Sequence, residues 1–149
     1  MHIPDGFLSL WISIVFWVIS IILIAMAVQR TKGELGERQI PLMGIMAAFI
    51  FAAQMINFAI PGTGSSGHLG GGLLLTLLLG PHSAFLTMAS VLVVQALLFA
   101  DGGLLALGCN IFNLGFFPCF VAYPLFFKWI SLAHLTTKRL AVRVVLAAV

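Results

Sequence analysis

Charge is what this chain of 149 residues most lacks: Lys, Arg, Asp and Glu together make up 7% of it, against about one quarter in soluble domains. With 62% hydrophobic residues, that shortage excludes a soluble globular protein and makes lipid the solvent for most of the chain. The formal charge of +3 would point a soluble protein towards nucleic acid. Here the charges are confined to short loops, so no nucleic-acid partner is implied. Cysteine is nearly absent too. Cys109 and Cys119 lie ten residues apart in an apolar stretch with no CxxC spacing, which speaks against a disulfide framework or a thiolate metal site and leaves them as small buried hydrophobes. No Gly-rich nucleotide loop ending in Gly-Lys-Ser/Thr occurs, so the chain carries no ATPase of its own. No convergent set of acid, base and nucleophile is visible either, so it is not expected to be an enzyme or to need a catalytic cofactor. A basic stretch ahead of the first apolar run and a nearby small-residue cleavage site are also missing, so the N-terminus does not read as a disposable signal.

What the chain does have is apolar runs, at roughly 7–28, 40–60, 72–80, 83–100 and 104–127, with a last one opening near 140. A spanning helix needs ~20 residues. The third run, flanked by Gly70, Gly71 and Gly72 before it and by Gly80-Pro81 after it, is too short to cross unaided. It reads as a short or broken helix, tolerated at membrane depth only when buried in protein. The chain stops at Val149, about ten residues into the last run, so one transmembrane domain over 1–149, truncated at its C-terminus, is the expected organisation.

Threading the runs with the N-terminus outside, provided the short third run crosses, puts Arg30, Lys32, Arg38, Lys128, Lys138, Arg139 and Arg143, all seven basic residues, on the cytoplasmic side, as the positive-inside rule asks. The expected fold is an all-α polytopic bundle in the cell (inner) membrane. On the outer face that threading gathers Met1-His2, the Gly-rich loop 61–72 and Asp101-Gly102-Gly103.

Those segments carry the chemistry. A free amine directly ahead of a histidine is a chelate in waiting: the Met1 amine, the His2 amide nitrogen and the His2 imidazole can close two fused rings around a cation. That leaves a fourth in-plane position, a geometry suited to Ni(II) or Cu(II). The alternative is an incidental terminal histidine. His68, in the Gly-rich loop, can supply the missing nitrogen; the alternative there is a flexible connector with an exposed ring. His82, beside Gly80-Pro81, falls on the other face and is expected to cap or anchor a helix end, and His134 is expected in the cytoplasmic stretch. Asp5, between Pro4 and Gly6, reads as a turn residue, with an acceptor for an imidazole N–H as the alternative. Asp101 reads as a loop aspartate. Gln54, Asn57, Gln95, Asn110 and Asn113 lie within or near apolar runs, where amides usually bridge helices. Asn57 or Asn110 could instead line a ligand path.

Three blocks carry a family resemblance: the opening Met1-His2-Ile3-Pro4-Asp5-Gly6-Phe7-Leu8, the Ser66-Gly67-His68-Leu69 core within 64–72, and the run from Gln95 to Leu104 followed by Gly108, Asn110, Ile111, Asn113 and Gly115. Together they resemble the CbiM/NikM family of substrate-specific membrane components of energy-coupling factor transporters for cobalt and nickel. The resemblance implies that the N-terminus folds into the bundle and that Ni²⁺ or Co²⁺, as transported substrate, is held at Met1, His2 and His68. It also implies a transmembrane coupling protein, a pair of cytoplasmic ATPases and a small auxiliary membrane protein as partners. A small-residue stripe docks the coupling protein in such transporters, and Gly44, Ala48 and Ala52 supply the spacing here; internal helix packing would use the same stripe. A metal or cation channel without ATP coupling is the alternative function, and an intramembrane enzyme built on Asp101 or a cysteine the third.

Overall fold

The structure is a computed structural model that describes residues 2–33, 36, 38–62 and 65–125. Met1, Glu34, Glu37, His134, the basic residues from Lys128 onward and the run opening near 140 lie outside the described residues.

The first apolar run forms α1, Leu10–Thr31, whose mean hydropathy of 2.7 and length of 22 residues suffice to cross a bilayer. Most of its large side chains, Trp11, Ile14, Val15, Val18, Ile21 and Ile22 among them, face outward, as expected of a helix whose surroundings are lipid. Its buried positions are all small residues, Ser13, Ser20, Ala27 and Thr31, and the Ser20 hydroxyl donates to the Gly108 carbonyl at 2.7 Å. A Cβ at Gly108 would stand 2.6 Å from the Trp17 backbone nitrogen, so glycine lets the two backbones touch.

Helix α2, Gln39–Gln54, is followed by a feature that hydropathy does not reveal. Phe58, Ala59 and Ile60 continue the apolar run but form β1 (Phe58–Ile60), paired antiparallel with β2 (Ser65–Gly67) in the register Phe58↔Gly67 and Ile60↔Ser65. Pro61-Gly62, with Gly62 at φ +77°, starts the turn between them. The expected helical fold therefore holds, with one short hairpin added before the third helix.

The short third run is α3, Gly72–Leu79, and α4 is Pro81–Phe99. Gly80, at φ 78°, turns one into the other, and Pro81 starts α4 where a missing N–H costs nothing. At about 1.5 Å per residue, α3 is about 12 Å long and α4 about 28 Å. Residues 68–71 therefore begin α3 roughly halfway down α4, inside the bundle. At the far end the Gln39 side chain donates to the Leu79 carbonyl and the Ser83 hydroxyl, closing α2 on the α3–α4 turn.

The fifth run is not one regular α-helix, as its apolarity suggests. A short α5, Leu107–Ile111, continues into a π-helical segment, Phe112–Ala122. Pro118 in that segment has no N–H to give an α-helical ladder, and its ring packs where Gly72 leaves room. The core runs along α4, where Phe85, Met88, Val91 and Leu92 meet Ile50, Leu75 and Ile111.

Candidate metal site

Residues 2–6 are not a free tail. The Asn110 side chain clamps Ile3 from both sides, accepting from its N–H at 2.8 Å and donating to its carbonyl at 3.1 Å. Gly103 adds an N–H to the same carbonyl. Asp5 and Gly6 form the expected turn, but the Asp5 carboxylate does more: it accepts the backbone N–H groups of Leu104, Leu105 and Ala106, the orphan donors ahead of α5. Gly103 packs so closely on Asp5 that a side chain there has no room.

This docking carries His2 into the end of the bundle, where its side chain is 2% exposed. There it stacks on His68, with ring centroids 4.8 Å apart and planes 22° from parallel. His68 is itself 4% exposed, so the reading of an exposed ring on a flexible connector does not hold. The two histidines expected to share a site are brought together. Met1 lies outside the described residues.

Each ring has one nitrogen occupied and one free. His2 Nδ1 lies 3.0 Å from the Asp101 carboxylate, and His68 Nδ1 lies 2.9 Å from the Leu69 carbonyl. Both neighbours are acceptors, so both rings carry their proton on Nδ1 and a lone pair on Nε2. His2 Nε2 and His68 Nε2 are buried without a hydrogen-bond partner. A buried imidazole whose Nδ1–H is fixed by a carboxylate or carbonyl, with the second nitrogen unpaired, is the arrangement found around protein-bound transition metals. Burial holds the His2 pKa below 6.5; the Asp101 carboxylate acts against that shift, and the adjacent His68 acts with it. The ring is therefore neutral at physiological pH and able to donate its lone pair.

Asp5 thus keeps the turn that the sequence suggests and adds the N–H groups before α5, while its alternative role as imidazole acceptor falls to Asp101, a loop aspartate that orients His2. Asn110 was also missed as the clamp on Ile3. The available signal was that Asp101 falls on the same predicted face as His2 and His68. His82 stands apart as expected, near the start of α4 with its ring edge-on to Phe120 at 5.3 Å. Asn57 and Asn113 are exposed, as are Gly44, Ala48 and Ala52 on α2. An added Cβ at Gly44 meets nothing within 4 Å, so this stripe is not consumed by packing among the described residues. Cys109 and Cys119 are buried and unpaired with each other.

Comparison with known proteins places the chain among metal transport proteins. The model of the CbiM family, described as the cobalt uptake substrate-specific transmembrane region, matches residues 2–149. A putative metal transport protein of Haloquadratum walsbyi is 47% identical over 126 residues, covering 85% of this chain and 57% of that protein. A putative fused nickel transport protein NikMN of Archaeoglobus fulgidus is 48% identical over 123 residues, covering 83% of this chain and 40% of that one. The chain thus spans about half the length of the curated relatives it matches. A crystal structure of a truncated transition metal transporter superposes with a TM-score of 0.86 at 35% identity, covering 99% of this chain and 69% of that one.

Proposed function

This chain belongs to the CbiM family of cobalt-uptake substrate-specific transmembrane regions, and from that premise we propose that it captures Ni²⁺ or Co²⁺ for import across the cell membrane. The observation that carries the proposal is the His2–His68 pair: two stacked, buried imidazoles, each with its proton fixed on Nδ1 and its Nε2 lone pair unmatched. Borderline-soft divalent cations prefer such nitrogen donors, whereas Mg²⁺ and Ca²⁺ seek oxygen.

The Met1 amine and the His2 amide nitrogen complete the donor set. In a fused chelate with that amide, the ring nitrogen that closes the second ring is Nδ1, which here faces Asp101. First contact therefore falls to the Nε2 lone pairs, and closing a planar four-nitrogen chelate requires the His2 ring to turn away from Asp101, its proton to pass from Nδ1 to the freed Nε2, and the amide to release its proton to solvent. The clamp on Ile3 holds the segment in place meanwhile.

The site opens to the outer face of the bundle, with the N-terminus outside and the basic loops in the cytoplasm. Energy comes from partners: a transmembrane coupling protein docked on Gly44, Ala48 and Ala52, an ATPase pair bound to it, and a small auxiliary membrane protein. The relatives are named as transport proteins, in keeping with a carrier rather than an enzyme.

Calorimetric titration of the purified protein with Ni²⁺ and Co²⁺ tests this reading. His2→Ala and His68→Ala should each weaken binding by at least about tenfold, and His82→Ala should leave it unchanged. Equal loss from all three would mean that the site is elsewhere.

A further inference from the structure

His2 and His68 hang on different parts of the bundle. His2 is fixed to the α4–α5 junction through Asp101 and, via Ile3, Asn110. His68 sits on the backbone that dips inward before α3, and that backbone is held by α2. Gln54, in the last turn of α2 and fully buried, donates from Nε2 to the Gly70 carbonyl at 2.9 Å, two residues beyond His68. Its Oε1 accepts from Gln95 Nε2 of α4, also at 2.9 Å. One turn earlier, Ile50 fills the space that Gly71 leaves: a Cβ at Gly71, which has φ +77°, would lie 2.7 Å from Ile50 Cδ1.

Two fully buried amides at this depth need a reason, because apolar side chains of the same size would avoid desolvating them. Gln95 Oε1 is even left without a partner. The reason lies in the loop: non-helical backbone inside a bundle must find donors for its carbonyls, and Gly70 finds Gln54. Ile50 and Gln54, four residues apart, share one face of α2. Ala48 and Ala52, two residues off that register, lie on the opposite, exposed face.

We propose that Gln54 is a positioning residue for His68, tying the loop that carries this imidazole to α2 through the chain Gln95–Gln54–Gly70. Displacing α2 from its exposed side then moves Gly70 and His68 relative to His2, which stays with α4 and α5. This rests on the reading of His2 and His68 as the metal site.

The test uses the whole chain in lipid nanodiscs, with Ni²⁺ as the probe. Gln54→Met keeps the side-chain volume and removes the amide's hydrogen bonds to Gly70, Gln95 and the Met88 sulfur. It should weaken Ni²⁺ about tenfold, the equivalent of one net hydrogen bond lost from a preorganised site, and speed amide exchange in residues 65–72 while the bundle stays folded with a melting temperature lowered by only a few degrees. Gln95→Met, which leaves Gly70 its donor, should weaken binding about threefold, and the double variant should match Gln54→Met alone, since Gln95 acts through Gln54. Wild-type affinity in folded Gln54→Met, or effects of the two variants that simply add, would overturn the proposal. Should Gln54→Met not fold, Gln95→Met carries the test, and unchanged exchange in 65–72 together with unchanged affinity overturns it. His68→Ala is measured in parallel. If His68→Ala keeps wild-type affinity, the site reading itself fails; if it loses binding while Gln54→Met does not, only the role of Gln54 fails.

Discussion

Removing the Asn110 side chain should release the N-terminal segment and, with it, one half of the metal site. Among the described residues, seven hydrogen bonds hold residues 2–6: two between Ile3 and the Asn110 side chain, one from Gly103 to Ile3, three to Asp5, and that between His2 and Asp101. At about 1 kcal/mol net each, these contribute about 7 kcal/mol. Ordering five residues costs about 5–10 kcal/mol. Docking is therefore close to balanced, and a loss anywhere in the set falls directly on the docked population. Asn110→Ala deletes two bonds and leaves the Ile3 N–H without its acceptor, a loss of about 2 kcal/mol, or about 30-fold in the docking equilibrium. Because the undocked segment cannot present His2 beside His68, apparent Ni²⁺ affinity should fall by about 10- to 30-fold. Titration calorimetry reads this directly, with a melting curve to confirm that the bundle stays folded. Asn113→Ala, an exposed neighbour, is the control and should bind as wild type. If Asn110→Ala also binds as wild type, the clamp on Ile3 is not what presents His2.

Burial holds the His2 pKa below 6.5, so the metal-free ring should titrate with a midpoint under that value by NMR. The neutral form favours docking, and that contribution is present above 6.5 and lost as pH falls through the lowered pKa, so protection of the Ile3 amide should weaken below 6.5. Asp101 opposes the shift, so Asp101→Ala should lower the His2 midpoint further; a rise would contradict the assigned pairing. One extra residue ahead of Met1 turns the amine into an amide and should abolish uptake, whereas a C-terminal tag should not; full uptake with a retained extension would remove the amine from the ligand set. Ala48→Leu places a branched side chain on the exposed face of α2 and should abolish ATP-driven uptake while the isolated protein still binds Ni²⁺; loss of both would mean that the stripe serves the fold instead.

Helix positions were legible because hydropathy reports the solvent of a segment. The run at 72–80 lies on α3 at Gly72–Leu79, and that at 83–100 on α4 at Pro81–Phe99. The same signal cannot tell strand from helix in a short apolar stretch, which is why Phe58–Ile60 passed as the end of α2's run. It is equally blind to the π-helical turns around Pro118. His2 and His68 were found because position and loop chemistry mark them locally. Their supports were not, since Asp101 and Asn110 act on residues 99 and 107 positions away, and nothing beside them in sequence distinguishes a loop aspartate from one that orients an imidazole.

Nickel K-edge X-ray absorption on the loaded protein tests the pairing of His2 with His68 most directly, because outer-shell scattering counts imidazoles. Wild type should show a nitrogen-rich first shell with two imidazole rings, and His68→Ala should show one. The same imidazole count in both proteins, or sulfur scattering from Cys109 or Cys119, would contradict the account.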